Sequence, residues 1–505
     1  MKKSTFYITT PLYYVNDEPH IGHAYTTILA DVISRFQKNL ENDVHFLTGT
    51  DEHGQKVQEA SEKRNMSPQD HADEYVQRFI KLWEKLDIKY DDFIRTTEKR
   101  HTDRVKDLLI LLWEKGEIYQ DEYEGLYSVS EERFITEKEY ETGDFREVKK
   151  IKEKNYFFKM SRYQNQLIEH INQNPKFIQP ESRKNEILGF LKKPLNDLCI
   201  SRPKSRLNWG IELPFDDKYV TYVWFDALTN YISSIGWNID NEKFNELWPA
   251  NYHLIGKDII TTHAVFWTTM LLASNIKLPQ SIFAHGWWLM DNTKMSKSLG
   301  NVVKPLDLID QFGSDALRYY LMRNMVIGQD ASFTYNSFVK RYNSDLANDY
   351  GNVVNRVIVL TNKYFDSKVP TPGNYNEIDI ELISNFKSVY LEISNLIRDL
   401  KIHDAAELIF SLIRLINKYL EEKEPWKTVK EYPNNKEITA TTLFVSIEAI
   451  RICSLLLNPI MPNKTSIVLN AIGVNDMTIK KITFGETPPG QKITSVPTLF
   501  PRIDS

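Results

Sequence analysis

The pattern of apolar positions changes character twice in the first part of the chain. Phe6-Tyr7-Ile8-Thr9 is a short apolar run ending in Thr10-Pro11, and it predicts a strand followed by a turn. Ile21, Ala24, Tyr25, Ile28, Leu29, Val32, Ile33 and Phe36 recur at i, i+3, i+4, i+7 spacing and predict a helix with one apolar stripe. Asp43-Val44-His45-Phe46-Leu47-Thr48 predicts a second strand, stopped at Gly49. Strand, helix and strand in that order predict a right-handed βαβ unit with a parallel sheet. Amphipathic patterns over 67–85 and 98–115 add helices to the same layer.

The pattern then breaks. Residues 121–159 are dense in Glu, Lys, Tyr and Phe, with alternation at Gly125-Leu126-Tyr127-Ser128-Val129, and read as a small inserted α/β piece. Residues 160–198 read as helical, and Ser201-Arg202-Pro203-Lys204 as a turn. Strand-like runs return at Tyr219–Val223, His253–Ile255 and Ile282–Ala284, so the first sheet is expected to be completed after the insertion. Past residue 335 the strand signals fade, and helices are expected over 338–365, 378–402, 404–421 and 438–457. The resulting fold class is α/β. A doubly wound, Rossmann-like parallel sheet spans 1–118 and 201–290, a connective α/β domain is inserted at 119–200, a loop and linker fill 291–335, and an all-α bundle occupies 336–505.

Composition sharpens this only in places. The 505 residues fit about three domains at roughly 150 residues each. With 42% hydrophobic and 26% charged residues, a disordered, collagenous or coiled-coil chain is ruled out. Two cysteines, Cys199 and Cys453, exclude a disulfide scaffold and a multi-cysteine metal site, and fit a reducing compartment. A net charge of −5 means that any nucleic-acid partner must be held by a local patch. Ser4, Thr5, Thr9, Thr10 and Pro11 interrupt the first apolar run, which makes a poor signal peptide. The apolar stretch 438–461 is broken by Glu448 and Arg451. A cytoplasmic protein without membrane contact is expected.

Two clusters carry the candidate chemistry. Pro19-His20-Ile21-Gly22-His23 opens the first helix, where free N–H groups and the positive end of the dipole attract anions. His20 and His23 could donate to phosphate oxygens; they could also be capping residues or two ligands of a metal. The second cluster is Lys294-Met295-Ser296-Lys297-Ser298, a polar segment whose two ammonium groups could close on a polyphosphate or simply face solvent.

The two clusters together, in this order and at either end of an interrupted sheet, resemble the paired motifs of class I aminoacyl-tRNA synthetases. The surrounding residues resemble the methionyl-tRNA synthetase family: Thr9-Thr10-Pro11-Leu12-Tyr13-Tyr14, Gly49-Thr50-Asp51-Glu52-His53-Gly54, Tyr222-Val223-Trp224-Phe225-Asp226-Ala227-Leu228, His253-Leu254-Ile255-Gly256-Lys257-Asp258-Ile259 and Glu424-Pro425-Trp426. The resemblance implies a ligase acting on L-methionine, ATP and tRNA(Met). It assigns His20, His23, Lys294 and Lys297 to catalysis. It places ATP against His20, Gly22, His23, Gly256, Asp258 (ribose), His285, Met295 and Lys297, with magnesium accompanying the nucleotide.

Trp224, Ala227, Leu228 and Tyr231 share one face at i, i+3, i+4, i+7, which alone fits a plain core stripe. The resemblance makes them the methionine pocket, closed by Leu12, Tyr14, Ile259 and His263, with Asp51 on the substrate ammonium. The Tyr231 hydroxyl and the Leu12 amide would face the sulfur. Thr262 stands where relatives carry an aromatic residue, which implies a looser or wetter wall. Asn352, Arg356 and Trp426 are implied as anticodon readers, with Trp426 in a turn after Pro425. Lys149, Lys150, Lys152 and Lys154 are candidates for backbone contact or a solvated face.

Residues 121–159 hold no cysteine where many relatives carry zinc knuckles, so a zinc-free protein is expected. The end at Ser505, directly after the bundle, suggests a monomer. The competing enzyme readings are a cysteine or branched-chain synthetase and a nucleotidylyltransferase. The former lack their cysteine ligands or long editing insertion here, and the latter would not use the helical tail. A catalytically silent tRNA-binding protein would not need His20, His23, Lys294 and Lys297.

Overall fold

A computed structural model describes residues 4–128, 133–135, 140–141, 148–290, 293–294, 303–387, 389–433, 436–479 and 482–503. Its central sheet contains β1 (Thr5–Thr9), β2 (Tyr13–Tyr14), β3 (Asp43–Asp51), β4 (Asp92–Arg95), β5 (Ile178–Gln179), β6 (Tyr252–Gly256) and β7 (Ile282–His285). These strands pair in parallel throughout: β3 with β1, β2 and β4; β1 with β6; β6 with β7; β7 with β5. Helix α1 (Ile21–Asn39) links β1 to β3 and buries the stripe read from the sequence. The order therefore reverses at β1, which has β3 on one side and β6 on the other. In an open parallel sheet such a switch point leaves a crevice at the C-terminal strand ends.

Gly49 does not stop β3. The strand continues through it to Asp51, and a Cβ at Gly49 would overlap the Ile94 carbonyl oxygen of β4. The glycine permits close strand approach, so it is a packing residue and not a terminator. Residues 119–200 are not wholly separate either: the strand Ile178–Gln179 pairs with Ile282–Phe283 and extends the central sheet. The rest of the insertion is built on Ile118–Ser128 and Val148–Phe158, antiparallel along their whole length and flanked by Arg133–Ile135 and Leu198–Cys199.

Ser201–Pro203 is a strand, not a turn. It pairs with Asp216–Thr221 in a small antiparallel sheet, which also takes the strand expected at Tyr219–Val223 out of the parallel one. Lys150 and Lys152 pair across the hairpin with Glu124 (3.1 Å) and Glu122 (3.6 Å), all four side chains exposed. That is a solvated, cross-strand charged face.

The bundle packs on α1 through one continuous core. Buried Arg318 ties the parts together. Its guanidinium donates to Asp31 of α1 (2.6 Å) and to the carbonyls of Leu86 (3.1 Å), Pro459 (2.8 Å) and Ile460 (2.9 Å). The central helix, Glu437–Leu457, has the length and hydropathy of a membrane span, yet its apolar window is entirely buried inside the bundle. The two charges midway along it, Glu448 and Arg451, are paired at 2.8 Å, and Glu448 also accepts the amides of Gly485, Glu486 and Thr487.

Candidate active site

The crevice collects side chains from several chain segments. Helix α1 begins at its N-cap, His20, whose ring Nδ1 accepts the Gly22 amide (3.1 Å), while His23 Nδ1 accepts the His20 amide (3.2 Å). A backbone N–H can only donate, so each Nδ1 is a bare acceptor and each neutral ring carries its proton on Nε2. The rings stack with centroids 3.7 Å apart. Burial holds His20 down at about 4, with Asp258 pulling back upward; burial and then His20 hold His23 well below the ordinary range. The pair is thus two neutral Nε2–H donors at a helix N-terminus. A Cβ at Gly22 would press on the His20 ring, so this glycine first makes room for the histidine.

Asp258 follows β6, where a Cβ at Gly256 would crowd its Oδ1. His285 ends β7. Its Nδ1–H donates to the Gly286 carbonyl (2.7 Å), leaving Nε2 to accept from Thr26 of α1 (2.7 Å). Asp51, at the end of β3, is buried. Lys294 lies in the short strand Thr293–Lys294, which pairs with Trp288–Met290; Met295 and Lys297 lie outside the described residues.

The structure also gathers the pocket residues. Leu12, Tyr14, Trp224 and Ile259 are partly buried against a core containing Leu228 and Tyr231. Trp224 stands edge-on to Tyr14 (6.4 Å) and to His263 (6.3 Å), and Ala227 is buried on the same helix. The helix carrying them is two short pieces, Val223–Leu228 and Asn230–Ser233.

The expected role of Tyr231 needs correcting. His263 Nδ1–H donates to the Ile259 carbonyl (2.9 Å), so Nε2 accepts the Tyr231 hydroxyl proton (2.7 Å). Burial holds His263 down at about 4, which keeps the ring neutral. The Tyr231 hydroxyl proton is therefore engaged by His263 and is not directed at a sulfur. Thr262 opens a π-helical segment, Thr262–Trp267, a local widening common at functional sites.

Sequence reasoning missed a buried network behind this pocket. Asp226 accepts from His53 Nδ1 (2.7 Å) and from His101 Nε2 (2.7 Å), and His101 Nδ1 bonds Ser233 (2.8 Å). It locks the helix Val223–Leu228 to the chain just after Asp51. Asp226 and His53 both fall inside the family motifs; His101 gave no signal, because a histidine in an amphipathic helix looks like any core residue.

In the bundle, the Arg356 guanidinium lies 4.8 Å over the Trp426 ring, and Asn352 is exposed one turn before Arg356. Trp426 is not in a turn. It sits in the first turn of the helix Pro425–Glu431, with Glu424 in the left-handed region (φ 40°) at the junction. A second π-helical segment, Tyr342–Gly351, runs directly into Asn352.

A helix-capping His-x-x-His beside a parallel-sheet switch point, with a separate bundle carrying an Arg–Trp pair, has the architecture of class I aminoacyl-tRNA synthetases. Residues 6–143 and 142–358 match the family model described as tRNA synthetases class I (M), and residues 369–505 match the anticodon binding domain of methionyl tRNA ligase. Methionine–tRNA ligases of Clostridium tetani and Listeria innocua are 45% and 42% identical, each over 100% of this chain and 79% of the relative. A Mycobacterium tuberculosis methionyl-tRNA synthetase in complex with methionyl-adenylate aligns with a TM-score of 0.95 at 38% identity, covering 99% of this chain and 100% of that one. The free form of that enzyme gives 0.88 at 35% identity, covering 100% of this chain and 99% of that one. The chain belongs to the methionyl-tRNA synthetase family.

Proposed function

We propose that this chain activates L-methionine with ATP to methionyl-adenylate, releasing pyrophosphate, and transfers the methionyl group to the 3′-terminal adenosine of tRNA(Met). The observation that carries the reading is the pair of Nε2–H donors, His20 and His23, fixed by backbone amides at the switch point. In the first step the methionine carboxylate attacks the α-phosphorus, an acyl–phosphate bond forms, and the bond to the pyrophosphate oxygen breaks. The protein's share is positioning and charge stabilisation. His20 and His23 donate to the triphosphate, Lys294 and Lys297 to the leaving pyrophosphate, and Asp258 holds the ribose. Gly22, Gly256, His285 and Met295 flank the adenosine.

Trp224, Ala227, Leu228, Tyr231, Leu12, Tyr14, Ile259 and His263 enclose the methionine side chain, and Asp51 pairs with its ammonium. Neutral histidines suit the phosphate-binding role, because they donate without the cost of desolvating a charge in the buried site. Magnesium enters with the nucleotide. Among the described residues no group of three or more His, Cys, Asp or Glu side chains comes together to cage a metal.

Asn352, Arg356 and Trp426 read anticodon bases by edge bonds and stacking. The second step attaches the methionyl group to the 2′-hydroxyl. The strands Ile118–Ser128 and Val148–Phe158 carry no cysteine of their own, and on this reading the enzyme works without zinc, as a cytoplasmic monomer. Charging of tRNA(Met) transcript with labelled methionine tests the reading. Lys297→Ala is expected to lower the turnover of methionine-dependent ATP–pyrophosphate exchange by about 3 kcal/mol of barrier, and an unchanged rate would remove that lysine from catalysis. Elemental analysis is expected to find zinc well below one equivalent.

A further inference from the structure

Beside Asp258 lies a clamp that the steps above do not use. Trp287, two residues past His285, is held from three directions. Its backbone N–H donates to Asp330 Oδ1 (2.8 Å). The Lys257 ammonium lies 4.2 Å over its ring and pairs with Asp330 Oδ2 (2.7 Å). Its indole N–H donates to Asp258 Oδ1 (3.1 Å). A Cβ at Gly286 would overlap the Gln329 carbonyl, so only glycine lets residues 329–330 close on the Trp287 backbone. Lys257 and Asp258 follow β6, Gly286 and Trp287 follow β7, and Asp330 precedes the strand Ala331–Phe333, which pairs with Trp288–Met290.

We propose that Trp287 is a positioning residue for nucleotide recognition: its indole N–H occupies one carboxylate oxygen of Asp258 and so aims the other at a ribose hydroxyl. The terminal torsion of an aspartate is broad and roughly two-fold, so an unrestrained carboxylate samples orientations that cannot accept from the ribose. Fixing it before the nucleotide arrives removes that ordering cost from binding. Lys257 and Asp330 serve by holding the indole in place. A half-buried tryptophan with only a packing role would need neither a carboxylate on its indole N–H nor a second carboxylate on its own amide. The proposal rests on reading Asp258 as the ribose ligand.

The test is ATP–pyrophosphate exchange at saturating methionine with ATP, 2′-deoxy-ATP and 3′-deoxy-ATP, for the wild type, Trp287→Phe and Asp258→Ala. Trp287→Phe keeps an aromatic ring and deletes the donor. It is expected to raise KM for ATP about five- to tenfold, the usual scale for a single hydrogen bond, with kcat and the KM for methionine little changed. That penalty is expected to vanish with the analogue lacking the hydroxyl that Asp258 holds, and Asp258→Ala should show the same dependence.

An equal penalty of Trp287→Phe on all three nucleotides, with Asp258→Ala still hydroxyl-dependent, overturns the proposal and leaves the ribose reading standing. Asp258→Ala acting equally on all three nucleotides overturns both. If Trp287→Phe does not fold, Lys257→Met, which removes the cation over the ring, is expected to give a smaller penalty with the same hydroxyl dependence; a uniform penalty there would contradict the proposal in the same way.

Discussion

Tyr231 gives its hydroxyl proton to His263 Nε2 at 2.7 Å, because the other ring nitrogen of His263 is committed to the Ile259 carbonyl. In the proposed methionine pocket the tyrosine is thus a wall whose hydroxyl proton is engaged inside the protein. Tyr231→Phe is therefore expected to weaken methionine and its sulfur-free isostere norleucine by the same factor. The loss comes from leaving a buried imidazole nitrogen unpaired, about 1–3 kcal/mol. KM for each amino acid in ATP–pyrophosphate exchange checks this. A loss confined to methionine would mean that the hydroxyl does bond the sulfur.

The depressed histidines give a pH signature. In the unfolded chain His20 takes up a proton near 6.5, but in the fold only near 4, because burial disfavours the charged ring. The unfolded state therefore binds more protons between those values. The stabilisation is full above about 6.5 and is lost as pH falls toward 4. His20→Asn keeps a side-chain acceptor for the Gly22 amide and removes the titration. Its melting temperature is expected to fall less steeply than that of wild type between pH 6.5 and 4, as followed by thermal unfolding. Parallel curves would contradict the assignment.

The Arg356–Trp426 contact separates tRNA reading from activation. Trp426→Ala is expected to lower kcat/KM for tRNA(Met) by about 1–3 kcal/mol, the scale of one base stacked on an aromatic ring. ATP–pyrophosphate exchange should stay near wild type, since the residue lies in the bundle and not in the crevice. Equal damage to both activities would assign Trp426 a folding role.

Gly49→Ala tests the strand packing that the sequence misrepresented. A methyl group there meets the Ile94 carbonyl of β4, a contact with backbone that cannot rotate away. Overpacking of this kind costs about 1–3 kcal/mol. Urea denaturation is expected to show it as a lowered midpoint, with reduced methionine activation because Asp51 ends the same strand. An unchanged midpoint would show that β4 yields easily.

The βαβ unit, helix α1 and most of the bundle were legible in the sequence because each buries one face, which leaves a clear periodicity. Gly49 misled because a glycine that lets two backbones meet looks the same as one that ends a strand. Ser201–Pro203 and Tyr219–Thr221 misled because short antiparallel strands carry turn-forming residues and little alternation. The histidine pair could be placed from its motif. Its neutral state and Nε2 tautomer could not, since they depend on the amides of His20 and Gly22 and on burial. Likewise Tyr231 could be placed on the pocket face, but the destination of its proton depends on His263 and Ile259, which lie on another segment of the chain. Trp287 and His101 carried no sequence signal, and the motifs holding His53 and Asp226 did not show that the two meet, because these roles lie in contacts between segments far apart along the chain.

Amino-acid-dependent ATP–pyrophosphate exchange by the purified protein, measured across all twenty amino acids, bears most directly on methionine activation at this crevice. Strong exchange is predicted with methionine, and a background rate with cysteine, leucine, isoleucine and valine. No methionine-dependent exchange, or exchange as strong with one of those others, would contradict that assignment.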